Sequence, residues 1–583
     1  MQLHGNKYIS ALARLWLAAI VPAVMSCNEE VIFDRHPETG MPDAENAYEV
    51  EVNFNISNPD AYPGTKVDQK ENWTVLTGSD AENKINNIYL FAVDYDSETG
   101  EETVEEVVKA DLVPGDFTAN GVNTGHTFKL SSGVKRFYVG ANMTEAHVSA
   151  FCNKENMMAD SYESALAMVM DGYDTKSGDG TNILMLSDPA TDVSGNTEID
   201  ITQNRFISIS ARLERLVSKV MVVADYDGTA TPPNGEGRTG EAINYLKSNT
   251  LNGFFIDFQF ILNNTNKALN VAKVYDEATR AAEDTEPRFN IDPNWNLTEW
   301  VRYDDATGSV ISSDIQRMNE NFSFWSDSEL EERFYTPATP KDFYSNNLWW
   351  CSNIPASSGS DATDNIFDYN SGDGLYCLEN TVFDDGFNTS YPSADKVKAA
   401  FITTTYVYLR ARFIPIRIIG DYDGNDMNGT APTADEYTRI FNLFWQTERP
   451  MGEGGKYPYT FYIDKEKGRH FTYTGANRWI SNPATYTKSD GSAWTWSDFE
   501  PYIGGWVYFK TFFEEGGKDN QDGIITYEGL DYWGIRRNDY CLLTIKQIEN
   551  WGEADLGNSY IKVKSETVPW LKRGSSDITV TPE

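Results

Sequence analysis

Tyr48-Glu49-Val50-Glu51-Val52-Asn53-Phe54-Asn55-Ile56 alternates apolar and polar side chains without a break. Period two is the signature of a strand with one face buried and one in water. The run is followed by Asn58-Pro59-Asp60-Ala61-Tyr62-Pro63-Gly64-Thr65-Lys66, where two prolines and a glycine forbid regular structure. The expected result is a strand that ends in an exposed loop carrying Lys66, with Lys70 shortly beyond it.

Further strands are predicted over Ile85–Asp94, His126–Leu130 and Arg136–Ala141, the last two joined through Ser131-Ser132-Gly133. Arg205–Ala224 and the aromatic run Phe254–Leu262 read the same way. Helix is the exception: Asp160-Ser161-Tyr162-Glu163 resembles a capping box that opens a helix over Ser164–Met170. Beyond about residue 300, aromatic strand patterns alternate with long loops rich in Asp, Asn, Gly and Ser. The predicted fold is mostly β, with a few short helices.

The chain has 583 residues and a formal net charge of −40, from 88 Asp and Glu against 48 Lys and Arg. That charge repels nucleic acid and anionic membranes, so neither is an expected partner. Aromatic residues make up 13% of the chain, which favours strands. Cys27, Cys152, Cys351, Cys377 and Cys541 are widely spaced with no C-x-x-C, so they form neither a disulfide framework nor a zinc site.

The N-terminus has its own signature. Lys7 and Arg14 precede the apolar run Leu15–Met25, which ends at Ser26-Cys27. A basic start, a short apolar segment and a small residue before the cut describe a signal peptide. Eleven apolar residues fall well short of the roughly twenty that span a bilayer. Val24-Met25-Ser26-Cys27 resembles the loose lipobox of Bacteroidetes-type lipoproteins, although Val24 and Met25 replace the commoner residues. Residues 1–26 are therefore expected to be removed and Cys27 acylated, anchoring the chain in outer-membrane lipid. Asn28-Glu29-Glu30 resembles the surface-export signal of such lipoproteins, and residues 27–47 would be a tether.

Several stretches resemble one family. Lys84-Ile85-Asn86-Asn87-Ile88-Tyr89-Leu90-Phe91-Ala92-Val93-Asp94, then Phe137–Thr144 and Ala211–Val220, are similar to the N-terminal domain of the type V fimbrial subunits, or fimbrillins, of Bacteroidales. Tyr406–Pro415, Arg537–Lys546 and Ile561-Lys562-Val563 through Val568-Pro569-Trp570 resemble the C-terminal domain of its minor-fimbria shaft branch. The matching stretches keep the family's order over most of the chain.

The resemblance implies two transthyretin-like β-sandwich domains, here 48–204 and 205–583, that polymerise by strand exchange. In such subunits a protease cuts after the first strand, that strand leaves, and a neighbour's extended segment takes its place. Tyr48, Val50, Val52, Phe54 and Ile56 would be the inward residues of the releasable strand, and Lys66 or Lys70 the cut site for a trypsin-like surface protease. Many relatives carry arginine at the cut, whereas here no arginine stands between Arg35 and Arg136. Within residues 558–583, Ile561, Val563, Val568, Trp570, Ile578 and Val580 would face inward in a donated strand. The implied partners are copies of this chain and other fimbrial subunits, at the outer membrane and cell surface, in the service of adhesion.

Motifs for chemistry are sparse. No H-E-x-x-H, G-x-S-x-G or Walker A loop occurs, and the match at Gly235, Gly237 and Gly240 follows two prolines rather than a strand. Asp421-x-Asp423-x-Asn425 opens like a calcium loop, but Asp426 and Pro432 stand at its sixth and twelfth positions. The run from Lys518 through Asn520, Asp522 and Gly523 to Gly529 likewise lacks ligands. No enzyme activity, cofactor or metal is therefore expected. The alternative function is a monomeric surface lipoprotein binding glycan or protein, with Trp349, Trp350, Trp494, Trp496 and Trp506 available to stack on sugar rings.

Overall fold

The computed structural model describes residues 47–57, 73–75, 82–111, 121–170, 182–202, 205–224, 227–230, 243–248, 250–274, 293, 320–323, 349–350, 352–353, 375–383, 405–420, 460–512, 525–527, 530–535, 537–545, 548, 566–569 and 571–573. The strands up to residue 224 are β1 Tyr48–Ser57, β2 Trp73–Val75, β3 Ile88–Tyr95, β4 Glu102–Lys109, β5 Val122–Leu130, β6 Val134–Ala141, β7 Asn156–Met158, β8 Met185–Ser187, β9 Thr191–Asp192, β10 Ile199–Asp200, β11 Phe206–Arg215 and β12 Val217–Ala224.

A first sheet runs in the order β4-β3-β6-β8-β11-β1-β5, with β9 on β11 and β10 on β6. Its path turns at β11, whose residues Phe206–Arg212 pair with β1 while Leu213–Arg215 pair with β8. The two halves face each other. Phe54 of β1 meets Phe137 of β6 edge-on at 6.1 Å between ring centroids, although the two strands are not neighbours in the sheet. This is a sandwich, and Val52, Phe54, Phe128, Phe137, Val139 and Leu213 lie in its core.

Six consecutive residues of β3, Ile88 to Val93, are buried. Continuous burial needs cover on both faces of the strand, and the helix Glu145–Asn153 supplies the outer one through Phe151, 4.4 Å from the Phe91 ring. Thr144 caps that helix by accepting from the His147 amide, while His147 Nδ1 accepts from the Thr144 amide. The helix expected over Ser164–Met170 spans Tyr162–Val169, capped by Ser161.

Leu216 alone separates β11 from β12, where the chain enters a second sandwich. There β12 pairs in parallel with Asp539–Ile545 and antiparallel with Leu375–Leu378. The opposing sheet contains Ile243–Ser248, Gly253–Asn263, Tyr406–Pro415 and Trp506–Phe512. Val220, Val222, Phe255, Leu375, Phe413 and Phe509 are in its core. β11 is hydrogen-bonded to β1 and belongs to the first core, and the changeover to the second core falls between Val217 and Val220.

The junction is polar and closed. Lys219 and Glu82, each 1% exposed at the side chain, form an ion pair at 2.8 Å, and the Tyr376 hydroxyl donates to the same carboxylate. Arg215 donates to the Glu82 carbonyl and to Asn538 Oδ1. Nearby, Arg537 pairs with Glu379 at 2.9 Å and donates to the carbonyls of Asn270 and Val271.

A third, smaller core follows in the lobe 460–503, built from Phe471, Ala476, Trp494 and Phe499. The strands Thr460–Asp464, His470–Phe471 and Phe499–Ile503 form its sheet, beside the helix Tyr473–Ser481. Gly420 and Gly475 let the lobe's helix approach the chain closely, since a Cβ on Gly420 would run into the Gly475 backbone. His470 is buried here, and burial lowers its pKa to about 4 despite a backbone hydrogen bond at Arg417 and the nearby charge of Asp464.

The unfolded chain, with an ordinary histidine value near 6.5, takes up this proton before the folded chain does. Stability from this site is therefore full above about pH 6.5 and is lost as pH falls toward 4. Tryptophan fluorescence of the lobe should show unfolding promoted across that window, and His470→Gln should remove that part of the pH dependence. An unaltered profile in the variant contradicts the assignment.

Candidate functional site: the slot filled by the first strand

β1 is an interior strand although it lies near the start of the described chain. On one side it pairs antiparallel with β5, from Tyr48 opposite Leu130 to Ile56 opposite Val122. On the other it pairs in parallel with β11, from Glu51 opposite Phe206 to Ser57 opposite Arg212. Both edges of its backbone are thus hydrogen-bonded, and the Glu51 amide adds a bond to the Arg205 carbonyl at 2.8 Å.

The alternation read from the sequence is the alternation found. Val50, Val52 and Ile56 are 0% exposed and Phe54 is 1% exposed, whereas Glu49, Glu51, Asn53 and Asn55 face water. Tyr48 packs against the same core but is only half-buried, with the Arg205 guanidinium over its ring at 4.7 Å. Phe54 is the central anchor, with the Phe128 and Phe137 rings each 6.1 Å away. Gly121, at φ +106°, lies where any Cβ would strike the Ile56 carbonyl, so β5 can begin there only with glycine.

Burying one such side chain is worth about 1.5–3 kcal/mol. Four of them, with ladder bonds on both sides, hold the strand firmly in the intact chain. Without β1 the slot would expose two facing strand edges above an apolar floor, an arrangement that another extended segment can fill.

Lys66 and Lys70 lie outside the described residues, as do Cys27, Ile561, Val563, Trp570, Ile578 and Val580. Val568 belongs to the strand Glu566–Pro569, which pairs with Asp539–Leu542 at the edge of the second sandwich's sheet. The next segment, Leu571–Arg573, pairs with β2, which follows Lys66 and Lys70 in the sequence.

The tryptophans divide by environment. Trp494 is in the lobe's core, and Trp506 is covered by Arg410 and Arg412 at 4.1 and 4.7 Å. Trp349 and Trp350 pair through their backbone with Phe260 and Gln259. Trp496 alone of the five is shown on the surface among the described side chains. Its stacking partner Tyr473 went unread in the sequence, which gives no sign that residues so far apart share a face.

Cys377 belongs to the second core, and Cys152 packs against the first. Among the described residues no group of three or more His, Cys, Asp or Glu side chains is placed to hold a metal. Both calcium-like runs lie outside the described residues, apart from the strand Ile525–Tyr527. Among the described residues no helix is long and apolar enough to cross a membrane.

No family model matches this chain, and no curated protein matches it. Among solved structures it is similar to a candidate cell-adhesion protein from Bacteroides eggerthii, at 10% identity and TM-score 0.32, covering 91% of this chain and 99% of the other. A fimbrilin from Porphyromonas gingivalis matches at 11% identity and TM-score 0.29, covering 90% and 98%. A tip fimbrial protein from the same organism, with a C-terminal truncation, matches at 12% and 0.26, covering 89% and 99%. At such identities and TM-scores these likenesses assign no residue and no activity to this chain.

Proposed function

We propose that this chain is a structural subunit of a cell-surface fimbria, exported as a lipoprotein through Cys27 and joined to its neighbours by protease-triggered strand exchange. The observation that supports it most is β1: a strand with four wholly buried side chains, hydrogen-bonded on both edges, and followed in the sequence by Lys66 and Lys70. Cutting after either lysine lowers the effective concentration of the strand at its slot from an intramolecular value to that of a dilute peptide. A competing segment can then enter.

The tail is suited to the exchange by its position. Among the described residues Glu566–Pro569 is an edge strand, bonded along one side to Asp539–Leu542, whereas a segment in the β1 slot is bonded along both. Leaving an edge for an interior slot gains hydrogen bonds and completes a core. The resemblance of the chain's segments to fimbrillins points the same way.

Trypsin should convert the purified chain into heat-resistant polymers. Lys66→Ala with Lys70→Ala should slow this conversion at least several-fold, and deletion of residues 560–583 should block it even after cutting. Long fibres from the deleted, cut chain would exclude the tail as donor. A cut chain that stays monomeric while retaining β1 would favour the monomeric binding lipoprotein instead.

A further inference from the structure

Residues 460–503 differ in composition from the rest of the chain. Five Lys and Arg balance five Asp and Glu, so the lobe has no net charge while the whole chain carries −40. Ten of its 44 residues are Phe, Tyr or Trp, well above the chain's 13%. Five of these rings are buried and three are half-buried. Tyr473 and Trp496 are 60% and 38% exposed.

The two exposed rings stack on each other at 5.0 Å and 19°, and Tyr462 leans on Trp496 at 5.6 Å. Both are held from below. Tyr473 opens the helix Tyr473–Ser481, whose cap Thr472 accepts from the Gly475 amide at 3.0 Å and donates to the Gly420 carbonyl. Trp496 opens the short 3-10 turn Trp496–Asp498, where the Thr495 amide and hydroxyl both donate to Asp498 Oδ2. Lys488 donates to the other carboxylate oxygen at 2.9 Å.

A large aromatic surface kept in water and fixed in orientation is suited to binding, because little side-chain freedom remains to be lost. The chemistry of the surroundings narrows the ligand. A neutral lobe does not select an ion, and its carboxylates are already engaged: Glu466 accepts from the Ser489 amide, and Asp490 and Asp498 accept from their own turns. Proline-rich peptides dock in grooves with aromatic walls, whereas these rings are stacked together rather than set apart. A pyranose offers a flat C–H face the size of one ring, with hydroxyls around its rim that can reach the exposed Thr495 and Ser497.

The geometry points to a carbohydrate site in which an uncharged sugar ring stacks on the outer face of Tyr473, the more exposed of the pair, with Trp496 stacked behind it. This site is separate from the β1 slot and does not depend on strand exchange. The test uses the uncut chain on an array of neutral, sialylated and sulfated glycans, with proline-rich and lysine-rich peptides alongside. A neutral glycan should be retained, and Trp496→Ala or Tyr473→Ala should weaken its binding about tenfold or more, as truncation of a stacked aromatic anchor does. Trp496→Phe should keep most of the binding, guarding against a folding defect. Phe206→Ala, which removes a 71% exposed ring from β11, should leave it unchanged. Absence of neutral-glycan binding, binding indifferent to both alanine variants, or preference for charged glycans or either peptide overturns the proposal.

Discussion

Phe54→Ala is expected to lower the stability of the first sandwich by about 3–5 kcal/mol, the usual cost of removing a buried phenylalanine. The ring is 1% exposed and touches both halves of the sandwich, through Phe128 beside it and Phe137 opposite. Its loss leaves a cavity that the Phe128–Phe137 pair, 5.8 Å apart, is too firmly packed to close. Denaturant unfolding measures the change. Asn53→Ala, one residue away on the exposed face, should stay within about 0.5 kcal/mol. Equal effects at 53 and 54 would mean that the strand is not seated in the register described. In the proposed assembly Phe54→Ala also speeds departure of the cut strand, because the same contacts hold it in the slot.

Glu82→Ala is expected to cost about 3–5 kcal/mol, since it leaves the Lys219 ammonium buried without its counter-charge. Both side chains are 1% exposed, so water cannot substitute for the lost partner. Replacing both members, as in Glu82→Met with Lys219→Met, should recover much of the loss, because removing the pair removes the desolvation problem too. Burial alone would raise the Glu82 pKa. Lys219, the hydrogen bonds from Lys219 and Tyr376, and the charge of Arg215 together outweigh it and hold the carboxyl below its ordinary value. The folded form therefore binds its proton less readily than the unfolded one. Its contribution is full above about pH 4.5 and is lost as pH falls through the depressed folded value. Thermal unfolding between pH 6 and 3 should show this acid sensitivity in the native chain and a weaker one in the double variant. Identical acid profiles contradict it.

β1 was legible because one of its faces meets water and the other meets the core, so period two survives in the sequence. β3 was found as an apolar run, but its alternation is erased by the helix Glu145–Asn153 on its outer face. That helix was missed because histidine stands where a capping box usually has Glu or Gln. β4, Glu-Thr-Val-Glu-Glu-Val-Val-Lys, was also missed: as an edge strand it buries only Val107 fully and reads as polar.

The junction was illegible for another reason. Lys219 interrupts an apolar strand, yet its counter-ion Glu82 is far away in sequence and nothing local pairs them. The same holds for Arg537 with Glu379, and for Tyr473 with Trp496. Periodicity reports which way a side chain points, whereas these partnerships depend on which strands the topology sets side by side.

The most direct measurement of the central claim is the peptide composition of polymers formed after trypsin, washed and analysed by mass spectrometry. Exchange predicts chains that begin after Lys66 or Lys70 and lack the fragment carrying Tyr48–Ser57, with that fragment recovered free in the wash. Polymers that retain the fragment in equal amount to the chain would show that β1 never leaves its slot, and strand exchange would be excluded as the link between subunits.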